Sequence, residues 1–404
     1  MSDLFLTPAH HELRAQVRAF AQEHVAPRVE AMEATQDVEV PLARLIAEQG
    51  WLGATIETAY GGMGAGHLAK TLIIEELSRV SAAMGAMVQA SQLGTAKIIH
   101  YGSDTQKRQW LPKIAAGTCL PTIAVTEPGC GSHVAGMTTT ATRDGDTYLL
   151  NGGKVYVGNS HIGHLHGVIA RTGDGPRGLT AFLVEHDTPG LTLPPHGRTL
   201  GLHGFSFGAL RFEQCRIPAA NRLGTEGQGL DVAYSSSLLY GRANLTAVAL
   251  GIHQAILEAT VAFCRERERY GASLARLGTV QAKIGQIHGR LITARTVAYH
   301  AASLLDHGRP CDTELINAKL QNVELALDSA RTAMELHAAA GLFTDRPIER
   351  FLRDAHHILA PAGTSDIQAL RLAEAALGDA KPPYSARHIH PFPTPQTSLT
   401  PQPV

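Results

Sequence analysis

The sequence predicts a mainly α protein with a central β-domain, and three changes of texture along the chain carry that prediction. Residues 7 to 117 show a helical apolar period. After Gly117 the chain breaks into short β-type runs, and from about residue 229 long helical stripes return. The expected domains follow these textures: an N-terminal helical domain over 1–120, a small β-barrel over 121–228, a C-terminal four-helix bundle over 229–380 and a Pro-rich tail over 381–404. A chain of 404 residues exceeds one compact core, so division into domains is expected on size alone.

Thr7 and Pro8 start the first helix, as N-cap and first-turn residue, and Leu13, Val17 and Phe20 give its apolar stripe. Gly50-Trp51-Leu52-Gly53 and Tyr60-Gly61-Gly62-Met63-Gly64 interrupt the helical pattern. It resumes through Ile73-Ile74-Glu75-Glu76-Leu77 and again before Trp110-Leu111-Pro112. In the middle third, Asn151-Gly152-Gly153 lies between Tyr148-Leu149-Leu150 and Lys154-Val155-Tyr156-Val157, which predicts a hairpin turn. Further strands are expected at 168–170, 181–184 and 209–212. Three stripes then predict long antiparallel helices: Leu245, Val248, Ile252, Ile256 and Phe263; Val280, Ile284, Ile287 and Leu291; Ile316, Leu320, Val323 and Leu327. Seven prolines from Pro382 to Pro403 predict a loosely held, non-helical tail.

Composition excludes several functions. Lys and Arg (35) nearly balance Asp and Glu (36), for a net charge of -1, so nucleic acid is not an expected partner. Only 18% of residues are charged and 44% are apolar, which suits large helix-on-helix interfaces, including between subunits. The five cysteines (Cys119, Cys130, Cys215, Cys264 and Cys311) lack metal spacing and read as buried thiols of a reducing cytoplasm. The 21 histidines form no recognisable metal pattern. Met1-Ser2-Asp3-Leu4 has neither a basic nor an apolar leader, so no secretory signal is expected. No apolar run approaches the ~20 residues of a membrane span, so no membrane association is expected either.

A co-linear series of motifs resembles the acyl-CoA dehydrogenase family across roughly residues 5 to 378. Thr126-Glu127-Pro128-Gly129-Cys130-Gly131-Ser132 is its most specific part. Gln106-Lys107 with Trp110-Leu111-Pro112, Arg216-Ile217-Pro218, Arg267-Glu268-Arg269-Tyr270-Gly271 with Gln281, and Arg353-Asp354-Ala355 followed by Gly363-Thr364-Ser365 and Ile367-Gln368 complete it. The resemblance implies FAD as cofactor, an acyl-CoA or carrier-protein-bound acyl thioester as substrate, and electron-transfer flavoprotein or oxygen as electron acceptor. It also implies a homodimer or homotetramer, or a hetero-oligomer with a homologue.

Carried over residue by residue, it implies cofactor contacts at Val125, Thr126, Gly131, Ser132, Tyr156, Gly158, Arg267, Tyr270, Gln281, Glu335, Ala338, Ala339, Thr364 and Asp366. Substrate contacts are implied at Ser132, Tyr240, Arg242 and Gly363. Tyr156 stands where the family commonly has tryptophan, and Gly158 where a threonine often bonds to the flavin. In Glu335 to Gly341 two glycines have become alanine, and Glu335 replaces an amide. An acid beside a pyrophosphate is repulsive unless it is turned away or paired.

The largest departure is at Ala362. In the family a glutamate usually precedes the Gly-Thr and removes the substrate's α-proton, and a methyl group accepts no proton. Some members carry the glutamate directly before the arginine matching Arg242, and here that residue is Gly241. Tyr240 is a weak substitute, with an ordinary pKa near ~10. His133, His356, His357 and Asp366 are further nearby groups. General-base assistance is worth about 10²–10⁴-fold. Three readings follow: a flavoenzyme with its base relocated or its oxidation at another carbon, a flavin-dependent oxygenase or oxidase, or a non-catalytic subunit.

Overall fold

Thr7 caps the first helix through a reciprocal arrangement with His10, and Pro8 occupies the first turn. In this computed structural model, which describes residues 4–388, 391–392 and 399, the N-terminal layer has six helices. They are α1 (Pro8–Phe20), α2 (Val29–Thr35), α3 (Val40–Ala47), α4 (Gly66–Val80), α5 (Ala82–Tyr101) and α6 (Asp104–Ala115). The expected interruptions are present: Gly50, Gly61 and Gly64 all take positive φ around short 3-10 turns. Helix α4 has no cap from its own chain start. Asp306, from a distant helix, accepts the amides of His67 and Leu68 instead.

The central domain comprises β1 (Pro121–Ala124), β2 (Thr140–Asp144), β3 (Thr147–Gly158), β4 (Leu165–Arg171), β5 (Leu179–Glu185), β6 (Leu191–Thr192), β7 (Phe207–Pro218) and β8 (Arg222–Leu223). They form one sheet in the order β6-β7-β3-β2-β4-β5-β8, with β1 parallel to β4. Tyr148, Leu150, Val168, Phe182, Phe212 and Ile217 come from strands across this sheet and share one buried core.

The expected hairpin at Asn151-Gly152-Gly153 is corrected here. Strand β3 runs straight through it, and the register slips between Leu150 and Gly152 against β7. Gly152, at φ +134°, is a bulge pressed on Thr139, where an added Cβ would lie 2.8 Å from the Thr139 Cα. The true turn between β2 and β3 is at Gly145, φ +64°.

The third layer begins with a continuous helical run: α7 (Gly229–Tyr234), a π-helical segment (Ser235–Arg242) and α8 (Ala243–Glu266). After a two-stranded ribbon, β9 (Glu268–Arg269) and β10 (Ala272–Ser273), come α9 (Gly278–Asp306), α10 (Asp312–His337), α11 (Ile348–His357) and α12 (Ser365–Leu377). Helices α8, α9 and α10 pack on one another, and α4 packs on α8. Ile287 and Leu291 of the second predicted stripe are buried, whereas Val280 and Ile284 are only half-buried. The membrane expectation needs correction on length and composition. The run Gly229–Glu266 is long and apolar enough to span, but 67% of its most apolar window is buried inside the protein.

The Pro-rich tail is not loosely held where it is described. Tyr384 and Ser385 are buried, and residues 385–388 form a 3-10 turn. Asp312 accepts both of their amides, at 2.7 and 2.9 Å, and the Tyr384 hydroxyl donates to the Asp231 carbonyl at 2.6 Å. Further on, the Phe392 amide donates to the Asp306 carbonyl. Residues 389–390, 393–398 and 400–404 of the predicted tail lie outside the described residues. Tyr384→Phe keeps the ring and removes that donor. It is expected to lower unfolding free energy by about 0.5–1.5 kcal/mol, read from urea denaturation.

Candidate active site

A buried ion pair fixes one wall of the site. Lys154, in the middle of β3, places its ammonium 2.8 Å from Glu127 and 2.9 Å from the Val125 carbonyl. Glu127 also accepts from Thr138, through amide and hydroxyl, and from the Thr139 amide. Burial works to raise this carboxyl, but bonds from Lys154, Thr138 and Thr139 outweigh it and hold it at about 2. Burial pulls Lys154 down, yet the short contact to a carboxylate that already takes three other donors keeps the pair ionised. The Val155 amide donates to the Thr126 carbonyl, so Val125 to Glu127 lie alongside β3 just before Tyr156. Mutual bonds between Glu127 and Cys130 close the following turn, leaving Gly131 and Ser132 exposed.

At the end of β3, Tyr156 takes φ +57° and turns its ring outward, 68% exposed. Its ring stacks at 5.9 Å on Phe207, which meets Phe205 at 6.0 Å and His357 at 5.3 Å. Gly158 faces α5: an added Cβ would lie 2.8 Å from the Ala90 Cβ and 3.1 Å from the Phe205 ring. One helical turn along α5, Leu93 reaches the π-helical segment. An added Cβ on Gly241 would lie 3.2 Å from the Leu93 Cδ2 and 3.2 Å from the Ala362 Cβ. The β-domain, the N-terminal helices and the C-terminal bundle therefore meet at these residues.

The loop bearing Ala362 is held from three sides. Lys319, inside the α10 stripe, donates to the Leu359 and Gly363 carbonyls at 2.6 and 2.8 Å. Gln368 donates to the Ala362 and Gly363 carbonyls, and accepts from the Arg242 Nε at 2.9 Å. Thr364 caps α12, with Asp366 exposed in its first turn. Among the described residues, eight non-glycine residues have positive φ, and Tyr156, Tyr270, Ala338 and Ala362 are four of them. Such conformations cost about 1–3 kcal/mol each and cluster at functional sites. Lys319 gave no sign in the sequence beyond a charge at an apolar position, between Ile316 and Leu320.

Tyr240 needs correction as a base and as a substrate contact. It is 1% exposed and packs among Leu238, Leu239, Ile316 and Tyr384, with the Lys70 ammonium 4.2 Å from its ring centroid. Burial pushes its phenol up, away from any basic range. His357 is half-buried on Phe207, and burial lowers its imidazole to about 4. His133 is exposed, its carbonyl accepting from the Cys130 thiol.

The remaining implied cofactor residues are all exposed. Arg267 follows the end of α8, Tyr270 is 94% exposed, and Gln281 and Glu335 are exposed on α9 and α10. Glu335 is paired with Lys283 at 2.6 Å, so its charge is neutralised and pulled aside. Ala338 adopts φ +51°, the conformation a glycine takes there without cost, and Ala339 is exposed beside it.

Comparison with known proteins agrees with this geometry. The acyl-CoA dehydrogenase N-terminal domain matches residues 7–118, the middle domain residues 122–215 and the C-terminal domain residues 227–377. The chain belongs to the acyl-CoA dehydrogenase family. An acyl-CoA dehydrogenase of Bacillus subtilis (strain 168) is 35% identical over 369 residues, 91% of this chain and 97% of the relative. Butyryl-CoA dehydrogenase from Megasphaera elsdenii superposes with a TM-score of 0.90 at 29% identity, covering 92% of this chain and 99% of that one. A prolyl acyl carrier protein oxidase superposes with a TM-score of 0.87 at 29% identity, covering 92% and 99%.

This acyl-CoA dehydrogenase family member is thus a flavoprotein oxidoreductase of the class acting on CH–CH groups, with FAD as its cofactor. Its residues fit that cofactor: the added acid is paired, the glycine-type turn persists at Ala338, and an aromatic ring is presented at Tyr156.

Two outcomes test the ion-paired wall. Lys154→Met leaves a buried carboxylate unpaired and should cost about 3–5 kcal/mol in chemical denaturation, most of it recovered by adding Glu127→Leu. Because the folded-state carboxyl of Glu127 lies below its ordinary value, its contribution is full above pH 4.5 and fades toward about pH 2. The stability gap between the protein and Glu127→Gln should therefore be flat above pH 4.5 and close as pH falls to about 2.

Proposed function

We propose that this protein oxidises an acyl thioester, as an acyl-CoA or on an acyl carrier protein, without a general base at either place where its family usually carries one. The observation behind this reading is the contact between the two places. A Cβ at 241 would lie 3.2 Å from that of Ala362, and the other two of its three nearest atoms would be a Leu93 methyl and the Ser236 carbonyl oxygen. The flavin, when bound, accepts a hydride. Val125, Thr126, Gly131, Ser132, Tyr156, Gly158, Thr364 and Asp366 would hold its ring. Arg267, Tyr270, Gln281, Glu335, Ala338 and Ala339 hold the adenylate half, and their exposure supports a site completed by a second copy of the chain. Ser132, Arg242 and Gly363 line the thioester. Likeness to a prolyl acyl carrier protein oxidase supports the carrier-bound form of the substrate. Electron-transfer flavoprotein or oxygen would serve as the electron acceptor.

With no base in place, a plain saturated acyl-CoA should bleach the flavin slowly under anaerobic conditions. Ala362→Glu places a carboxylate there, and the first-order bleaching rate should rise by about 10²–10⁴-fold. Bleaching of the unmodified protein at the rate of Ala362→Glu would overturn the expectation of a slowed reaction, because a base outside positions 241 and 362 would already be acting. A colourless protein unable to take up FAD would overturn the reading itself.

A further inference from the structure

Two cations, Arg242 and Lys319, flank the loop of Ala362, and Glu324, which accepts from Ser365 of that loop, acts on Lys319. Arg242 is 7% exposed and bonds through Nε to the neutral Gln368, while its Nη1 has no hydrogen-bond partner. Lys319, fully buried, bonds to the Leu359 and Gly363 carbonyls, with Glu324 acting on it at longer range. The more exposed Arg18, Arg295 and Arg353 each hold a carboxylate within 2.8 Å. Arg242 holds none among the described residues, although Tyr234 and Asp312 act on it at longer range. Burial lowers its guanidinium to about 10, which still leaves it cationic at neutral pH. A buried cation without a counter-charge is costly, and Gln368 ties this one to the loop of Ala362.

We propose that the missing counter-charge arrives with the ligand: the site takes an acyl thioester whose acyl chain itself bears a carboxylate, which pairs with Arg242. This rests on the thioester reading above and narrows it to a substrate class. The carboxylate occupies the neighbourhood that a glutamate at 362 or 241 would fill, and Arg242 supplies charge-assisted, directional donors to it.

The test compares succinyl-CoA with butyryl-CoA, which share a four-carbon acyl chain and differ by a carboxylate in place of a methyl. Dissociation constants for the FAD-loaded protein are read by calorimetry and by perturbation of the flavin spectrum, so turnover is not needed. Succinyl-CoA should bind about 10- to 100-fold more tightly, as expected for one charge-assisted pair. Arg242→Met should abolish the preference and raise the thermal midpoint, since an unpaired buried charge has gone. Ala362→Glu should also abolish the preference, because the chain then supplies its own carboxylate.

Equal affinities for the two thioesters in the unmodified protein would overturn the proposal while leaving the thioester reading intact. If added acetate lifts butyryl-CoA to the affinity of succinyl-CoA, the carboxylate comes from solution rather than the acyl chain, and the proposal again falls. If neither thioester binds, the thioester reading fails and takes this inference with it.

Discussion

The meeting of three domains at one site depends on buried ammonium groups that bridge separate pieces of chain. Lys97 in α5 donates to its own helix at Gly94 and to β1 at Thr122, joining the N-terminal helices to the sheet. Lys154 joins β3 to the segment Val125–Glu127, and Lys319 joins α10 to the loop of Ala362. Each lies at 0% exposure, so the long aliphatic stem packs as core while its tip donates to carbonyls of separate chain segments. The fit is tight: an added Cβ on Gly167 would collide with the Lys97 stem, which is why β4 carries glycine opposite it.

These bridges explain how a site of strained residues keeps its shape. Tyr156, Ala338 and Ala362 all lie in a backbone region that side chains avoid, and local preference alone would relax them. At Ala362 the restraint is explicit, because the carbonyls on both sides of the following peptide are held by Lys319 and Gln368. At Tyr156 it is indirect, through the pairing of β3 with Thr126 and the ion pair two residues earlier. The scaffold thus holds its shape while positions 362 and 241 present only a methyl and a hydrogen.

Features that rest on local chemistry were legible in the sequence. The cap at Thr7, the glycine interruptions at 50 and 61–64, and the stripes of α8 and α10 each follow from neighbours within a turn or two. Features that rest on distant partners were not. Asn151-Gly152-Gly153 has the composition of a turn, but pairing with β7 and contact with Thr139 draw it into a bulged strand. The tail has the composition of a solvated end, but Tyr384 finds Asp312, Tyr101 and Asp231 across the bundle. Within the site, the identities of Ala362 and Gly241 could be read one by one. Their contact, the unpartnered Nη1 of Arg242 and the burial of Tyr240 required the fold.

The closeness of positions 241 and 362 carries a steric rule of its own. With Cβ atoms 3.2 Å apart, the two positions behave as one seat that a long side chain can fill from the helix or from the loop, but not from both. Any chain that moves its acid from one side to the other must therefore pass through a form in which both residues are small. Gly241 with Ala362 is that form, a hub from which either arrangement is one substitution away and neither is yet chosen.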